Sequence, residues 1–448
     1  MKIVHYINKR ERKMKSVYFI PTNRRIERCV NSYIKEIMYA EEKYGLKIPF
    51  VVVETNNDDF VKENDRVLKN LKNRNKDLEI LHLTTDIQKR YFDELFRGIN
   101  NGQEIKEMFL DTKSNYGTTM NKIAIFTCAL GADIFHRRDS DTCLIKDELN
   151  DSREVYPIEY ELKYAGKKIK DLNNDLIKIP EGIDNEKQIT VVGGNYFGEW
   201  NLDVKDFSRK SFDIIYKLYE LLGFEKDSIK EICDEAFRFD AEFEDVDRLT
   251  LVTSVNDGLN PDCGNVAVYK LHEYMPNVPG ANTLAADYFI FDTATALGLP
   301  SLHHTRSVFH EYHSERFEFE RKNKYWYGVA KFADYFNTYG AIYNNSIEDK
   351  FCNDEILISK QVRKLLIDKI KIFENLDKQV RINRIRKISS EVLIPFDDLY
   401  GEIGNELLKN AELYVDEAEI DYKKHVILFN EWQSIINKAK TLDIRKFL

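Results

Sequence analysis

The chain has 448 residues, of which 43% are hydrophobic, 12% aromatic and 32% charged, with a formal net charge of −9. That length supports two or three structural units around large cores and excludes a small stapled module. The acidic balance excludes wholesale nucleic-acid binding and leaves room only for a local basic site that takes an anionic ligand.

The first 150 residues alternate strand and helix. Ser16–Ile20 reads as a strand that stops at Pro21, and Ile26, Cys29, Val30, Tyr33, Ile34 and Ile37 then fall on one helical face. Pro49–Val53 is a continuous apolar run, as expected of a parallel strand covered on both sides, and Leu78–Leu83 is a third strand. Ile87, Tyr91, Leu95 and Phe96 stripe another helix, Thr118 or Thr119 is positioned to cap the next, and Ile134-Phe135 begins a fourth strand. This rhythm predicts a mostly parallel sheet with right-handed crossovers.

Ile134-Phe135-His136-Arg137-Arg138-Asp139-Ser140-Asp141 is the most informative stretch, because a short apolar strand ends in two carboxylates separated by one small residue. Asp139 and Asp141 offer hard oxygens that suit Mg²⁺ or Mn²⁺, ions commonly held by one or two carboxylates plus substrate phosphate oxygens. Arg137 and Arg138 can pair with a diphosphate or simply neutralise the acids. An EF-hand is disfavoured for want of further spaced ligands. A dehalogenase-type phosphatase is disfavoured because Cys143 stands where Thr or Val belongs.

From about 150 to 340 the pattern is mixed. Ile189–Val192 is a strand running into Gly193-Gly194-Asn195-Tyr196, and Phe212, Ile215, Tyr219 and Leu222 stripe a helix ending at Gly223. Gly193-Gly194 either lets a ligand approach the backbone or makes a plain turn, and Glu199 follows where that turn could aim it into a cleft. Asp287, flanked by small and apolar residues, is a candidate general base if buried and alone, or a helix-terminal acid. Beyond 350 helical stripes continue: Val362, Leu365, Leu366 and Ile370, then Ile403, Leu407, Leu408 and Ala411, then Phe429, Trp432, Ile436 and Ala439.

Ligands of parallel α/β sheets sit outside the carboxyl ends of the strands, which singles out Pro21 to Arg25, Glu54 to Asn57 and Asp139 to Thr142. Neither G-x-G-x-x-G nor a P-loop follows the first strand. The six cysteines form no C-x-x-C pair and no zinc-type spacing, so they read as reduced thiols. No apolar run approaches the roughly 18–20 residues that span a bilayer, and no signal core is evident, so a cytoplasmic protein is expected.

With its D-x-D after a strand in an amino-terminal α/β layer, the chain resembles the GT-A superfamily of nucleotide-sugar glycosyltransferases over roughly residues 16 to 310. It is also similar to an uncharacterised bacterial group that shares the His136-Arg137-Arg138-Asp139-Ser140-Asp141 core. The resemblance implies a GT-A-like, mostly parallel sheet flanked by helices with a carboxyl-terminal helical appendage. Residues 1–150 would form the nucleotide-sugar half, 151–340 the acceptor half, and 341–448 the helical region. It further implies donor contacts from Pro21, Thr22, Asn23 and Arg24, from Glu54 at the nucleoside, and from Asn115, Gly117 and Asn121. Arg137, Arg138 and Asp139 would face the diphosphate, with Asp139, Asp141 and a later histidine, His303 or His304, on Mn²⁺ or Mg²⁺. Asp287 or Glu199 would serve the acceptor, a small molecule, glycan or peptide, and a homo-oligomer is left open. A nucleotidyltransferase is the rival enzyme, although Pro21-Thr22-Asn23-Arg24-Arg25 has no glycine. A non-catalytic sugar- or peptide-binding protein is the rival of another class.

Overall fold

The computed structural model describes residues 14–55, 59–113, 116–149, 155–172, 177–198, 206–207, 210–224, 226, 229–230, 247–253, 261–311, 318–343 and 358–448. The strands are β1 (Ser16–Thr22), β2 (Phe50–Glu54), β3 (Ile80–Leu83), β4 (Ile134–Arg138), β5 (Thr142–Leu144), β6 (Val191–Gly198), β7 (Leu249–Val252), β8 (Asn265–Tyr269) and β9 (Ser301–His310). The helices are α1 (Glu27–Tyr44), α2 (Val61–Arg74), α3 (Thr85–Leu95), α4 (Gly102–Leu110), α5 (Tyr116–Ala129), α6 (Ile145–Leu149) and α7 (Pro157–Tyr164). They continue with α8 (Phe212–Leu222), α9 (Phe289–Ala296), α10 (Phe319–Tyr343), α11 (Lys360–Ile370), α12 (Lys378–Lys387) and α13 (Asp398–Ala439).

The strands form one sheet in the order β3-β2-β1-β4-β8-β6-β9-β5, with β7 also on β9. The expected α/β class, with a sheet flanked by helices and a helical carboxyl-terminal region, is what the chain adopts. Pairing is parallel through β3-β2-β1-β4 and between β6 and β9. β8 runs antiparallel to β4 and β6, and β5 and β7 run antiparallel to β9.

The strand period of two sorts the apolar residues onto two faces. Val17, Phe19, Val51 and Val53 pack under α3, α4, α5 and the second half of α13, whereas Tyr18, Ile20, Phe50 and Val52 pack under α1 and α2. Burying each such side chain contributes about 1.5–3 kcal/mol, which is why β1 and β2 read as unbroken apolar runs. Pro21 does not end β1; it pairs in register with Val53, beyond the last β4 partner, Phe19↔Arg137, where no ladder bond on that side is lost.

Curling of the far edge follows from chain length. β4 and β5 are four places apart in the sheet, about 19 Å if flat, yet the step from Arg138 to Thr142 spans at most roughly 14 Å. The sheet therefore bends round until Thr142 Oγ1 lies 2.6 Å from the Tyr33 hydroxyl of α1.

Two sequence expectations are corrected. Thr118 and Thr119 lie inside α5, which starts at Tyr116, so neither caps it. Leu365 and Leu408 face outward, at 36% and 39% exposure, because their neighbours on the stripe take the core positions. The first half of α13, from Tyr400 to Val415, packs into one core with α8 and α12; its second half, from Ala418 to Ala439, packs into the core beneath β1 and β2. No described helix is long and apolar enough to cross a membrane.

Candidate active site at the carboxyl ends of the parallel strands

From β1 the chain winds outward to β2 and β3, then returns to the other side of β1 as β4. The loops leaving β1 and β4 therefore diverge, and the opening between them is where open α/β sheets take ligands. Thr22 folds the first loop: its Oγ1 accepts from Arg24 N at 3.1 Å. Asn64 Nδ2 braces it by donating to Arg24 O at 3.0 Å. So held, Arg24 Nη1 reaches across to Asp141 Oδ2 at 2.9 Å, the Arg24 side chain being 35% and Asp141 16% exposed.

Asp139 and Asp141 belong to a connected polar network. Asp139 Oδ1 accepts from Arg137 Nη2 at 2.9 Å and Nε at 3.2 Å, and its Oδ2 accepts from the Tyr196 hydroxyl at 2.7 Å. Gly264 N donates to that hydroxyl at 2.9 Å. A Cβ on Gly264 would lie 2.3 Å from the Tyr196 oxygen and 2.6 Å from Asp139 Cγ, so only glycine fits there. The Tyr196 ring stacks on His310 with centroids 5.1 Å apart, and His310 Nε2 lies 3.6 Å from Asp141 Oδ2. Arg137 Nη1 bonds Asp287 Oδ2 at 2.9 Å. Asp262 accepts from Tyr196 N at 2.7 Å and from the Tyr288 hydroxyl at 2.8 Å. Burial first, then the charge of Asp139, raises the Tyr196 phenol well above its usual range, which keeps it a donor.

Among the described residues and printed contacts, the network joins the carboxylates Asp139, Asp141, Asp262 and Asp287 to the guanidiniums Arg24 and Arg137. Carboxylate oxygens at a partly open strand end are hard donors of the kind that hold a divalent cation together with phosphate oxygens and water. Among the described residues no three ligand atoms converge at these acids, and the one such group is Cys128, His272 and Glu273, elsewhere in the fold. A shallow cavity of about 470 Å³ lined by Thr112, Lys113, Asn282, Tyr327 and Tyr414 includes none of the acids.

The remaining sequence candidates are placed as follows. Arg138 is corrected out of the cleft: next to Arg137 on a strand, it faces the opposite side of the sheet, wholly buried against Glu36 at 3.2 Å and Glu161 at 2.9 Å. Pro21 is buried in β1 and Thr22 in its turn, whereas Asn23 is exposed at the mouth. Glu54 is fully buried at the end of β2; its Oε1 accepts from Asn64 Nδ2 at 3.0 Å and lies 2.8 Å from His82 Nε2, while Oε2 has no hydrogen-bond partner. Gly117 is spent on packing, since a Cβ there would sit 2.1 Å from Val278 O. Asn121 clamps Asn277 through its N at 2.7 Å and O at 2.9 Å. Asp287 is buried but not alone, being paired with Arg137. Asn115 and Glu199 lie outside the described residues.

His303 and His304 are also corrected. Their partners Gly193 and Gly194 lie mid-strand in β6, four to five residues before Gly198, the partner of His310. Four residues of β6 at about 3.3 Å each put His304 about 13 Å along the sheet from His310. His303 Nε2 instead lies 2.9 Å from Asn195 Oδ1, and burial pulls its pKa down to about 4. His310, Tyr196, Asp262 and Gly264 were not singled out as site residues in the sequence. Asp262-Cys263-Gly264 offered the one local signal, an acid two residues ahead of a glycine.

The site thus sits in an α/β protein whose parallel strands open onto an acidic, arginine-braced crevice. The profile of a family of unknown function, DUF6271, matches residues 15–447, and the chain belongs to that family. No curated protein matches it. Among solved structures it is similar to mannosyl-3-phosphoglycerate synthase from Rubrobacter xylanophilus, with 13% identity and a TM-score of 0.37 over 77% of this chain and 78% of that one. It is similar to a mycobacterial protein, with 12% identity and a TM-score of 0.33 over 71% and 73% of the two chains. A third is mannosyltransferase PcManGT from Pyrobaculum calidifontis in complex with GDP-Man and Mn2+, with 9% identity and a TM-score of 0.35 over 92% and 88%. Likenesses this distant leave the chemistry to the residues themselves.

Proposed function

We propose that the protein is a GT-A-like glycosyltransferase that moves a sugar from a nucleotide-diphosphate donor to an acceptor nucleophile in the cytoplasm. The observation that carries this reading is the pair Asp139 and Asp141, partly open at 21% and 16% side-chain exposure, at the end of β4 beside the β1 loop. Asp139 and Asp141 would hold Mn²⁺ or Mg²⁺, which when bound offsets negative charge on the departing diphosphate.

The chain's own residues divide the remaining work. Arg24, the most exposed group of the network, exchanges Asp141 for a phosphate oxygen when donor enters. Arg137 fixes Asp139 throughout and holds Asp287 until the acceptor arrives, while Tyr196 holds the second oxygen of Asp139. Asn23 lines the mouth beside the nucleoside, and Glu54, buried at the end of β2, would have to become accessible to reach it. On the acceptor side, an inverting reaction uses Asp287 or Glu199 as base, which for Asp287 requires release from Arg137. Residues 1–150 then form the donor half, 151–340 the acceptor half and 341–448 a helical buttress.

The test is release of free nucleotide from a panel of nucleotide-diphosphate sugars with and without Mn²⁺ or Mg²⁺. Turnover should require the cation and fall about 100-fold or more in Asp141→Asn, the scale of losing one transition-state charge contact. Pyrophosphate formed from nucleoside triphosphates would replace this reading with a nucleotidyltransferase. Tight sugar binding without turnover would replace it with a binding protein.

A further inference from the structure

Cys128, His272 and Glu273 bring a sulfur, a ring nitrogen and a carboxylate oxygen to within 4.8 Å of one another. Cys128 lies in the last turn of α5, and the other two in the single 3₁₀ turn, Leu271–Glu273, that follows β8. Cys128 and His272 are each 1% exposed and Glu273 9%. Neither ring nitrogen of His272 has a hydrogen-bond partner. Leaving a buried polar atom unpaired costs about 1–3 kcal/mol, so two on one ring call for an explanation. The ring is well fixed: Trp432 Nε1 donates to His272 O at 3.0 Å and Phe135 packs edge-on with centroids 5.2 Å apart.

A Cys-His-Glu nucleophile is a poor account of these groups. The sulfur makes no hydrogen bond to the imidazole. It also sits at a helix carboxyl terminus, where the macrodipole opposes a thiolate. A thiolate is stable in such a place only beside a strong positive charge, which a bound cation supplies outright.

We propose that Cys128, His272 and Glu273 are the three protein ligands of a Zn²⁺ site, with solvent as the fourth ligand. A thiolate, an imidazole and a carboxylate form a mixed donor set that suits this borderline ion. Both ring nitrogens of His272 are buried and without a hydrogen-bond partner among the described residues, which leaves one to ligate a metal. Lys440, at the end of α13, bonds one oxygen of Glu273 at 2.5 Å and is 44% exposed, which marks the side on which solvent enters. The site lies at the amino end of β4, roughly 16 Å by strand rise from the acids at its carboxyl end. It is a fastening between α5, the β8 turn and the end of α13, independent of the proposed transferase site.

The test is metal content of the full chain by mass spectrometry after chelation and reloading with Zn²⁺, together with Co²⁺ titration followed by absorbance. Wild type and Asp141→Asn should each hold one Zn²⁺ at this site and, with Co²⁺, show a thiolate-to-cobalt charge-transfer band. Cys128→Ser should abolish the band, and His272→Gln should weaken Zn²⁺ binding at least tenfold. Absence of the band in wild type would overturn the proposal without recourse to any variant. So would unchanged Zn²⁺ stoichiometry and affinity in both ligand variants.

Discussion

Replacing Arg138 with Met separates a structural arginine from a ligand-binding one. Its guanidinium is wholly buried between Glu36 and Glu161, themselves wholly buried, and the contact to Glu161 Oε1 at 2.9 Å is an ion pair whose angle falls short of a hydrogen bond. Removing the one guanidinium leaves two buried carboxylates held, among the described residues, by hydrogen bonds alone: Glu36 accepts from the Tyr18 hydroxyl at 2.5 Å and Ile158 N at 2.8 Å, and Glu161 lies 2.6 Å from His136 Nδ1. Breaking a buried pair in this way costs about 3–5 kcal/mol, a large fraction of the roughly 5–15 kcal/mol that holds a protein folded. At roughly 2 °C per kcal/mol, the low end of the scale that suits a long chain, Arg138→Met should melt about 6–10 °C below wild type by calorimetry. The pH dependence should change sign. Burial raises the Glu161 carboxyl, but the Arg138 charge and then the His136 hydrogen bond outweigh it and pull the pKa down from 4.5 to about 2. In wild type that contribution is complete above pH 4.5 and fades as pH falls towards 2. Without Arg138 the largest effect opposing burial at Glu161 is gone and that carboxyl ionises less readily folded than unfolded, so the deficit of the variant should shrink as pH falls from neutrality towards 4.5. A variant melting within about 2 °C of wild type at neutral pH would refute this account. Weakened donor binding in such a stable variant would return Arg138 to the cleft.

Two further outcomes follow from named contacts. Arg381→Met removes a bidentate pair at 2.8 Å to buried Asp334, which also accepts from the Tyr422 hydroxyl at 2.8 Å; it should cost about 3–5 kcal/mol in thermal melting, while Asp334→Asn/Arg381→Met should recover part of that loss. Gly264→Ala forces a methyl against the Tyr196 oxygen and the Asp139 carboxyl, so nucleotide release should fall at least tenfold for about 1–3 kcal/mol of stability, measured by turnover beside a melting curve; full activity would show that the Tyr196–Asp139 contact is dispensable.

The parallel half of the sheet was legible because its strands are covered on both faces, and Phe50–Val53 could scarcely be anything else. The acid pair was legible for the same reason, since an apolar strand delivers whatever follows it to the sheet's edge. The split between Arg137 and Arg138 was also available in principle, because consecutive strand residues face opposite ways. His310 was not. Its approach to Asp141 depends on the curl that folds β5 back beside α1 and on the irregular register between Gly194 and Tyr196. Neither leaves a periodic trace. Asn121 and Gly117 were read as ligand contacts; the clamp on Asn277 and the tight fit against Val278 that the fold gives them were out of reach of the sequence, being formed with residues more than 150 positions away. Cys128 with His272 and Glu273 escaped a search for local metal spacing on the same ground.

Helix α13 has a mechanical consequence. Its 42 residues make an uninterrupted rod of about 63 Å whose halves are embedded in different cores. Opening one core away from the other would require bending that rod, so a clamshell motion is denied to this molecule. On the proposed function, donor entry then falls to the short segments at the strand tips, where Arg24, at 35% side-chain exposure, is the most open member of the network.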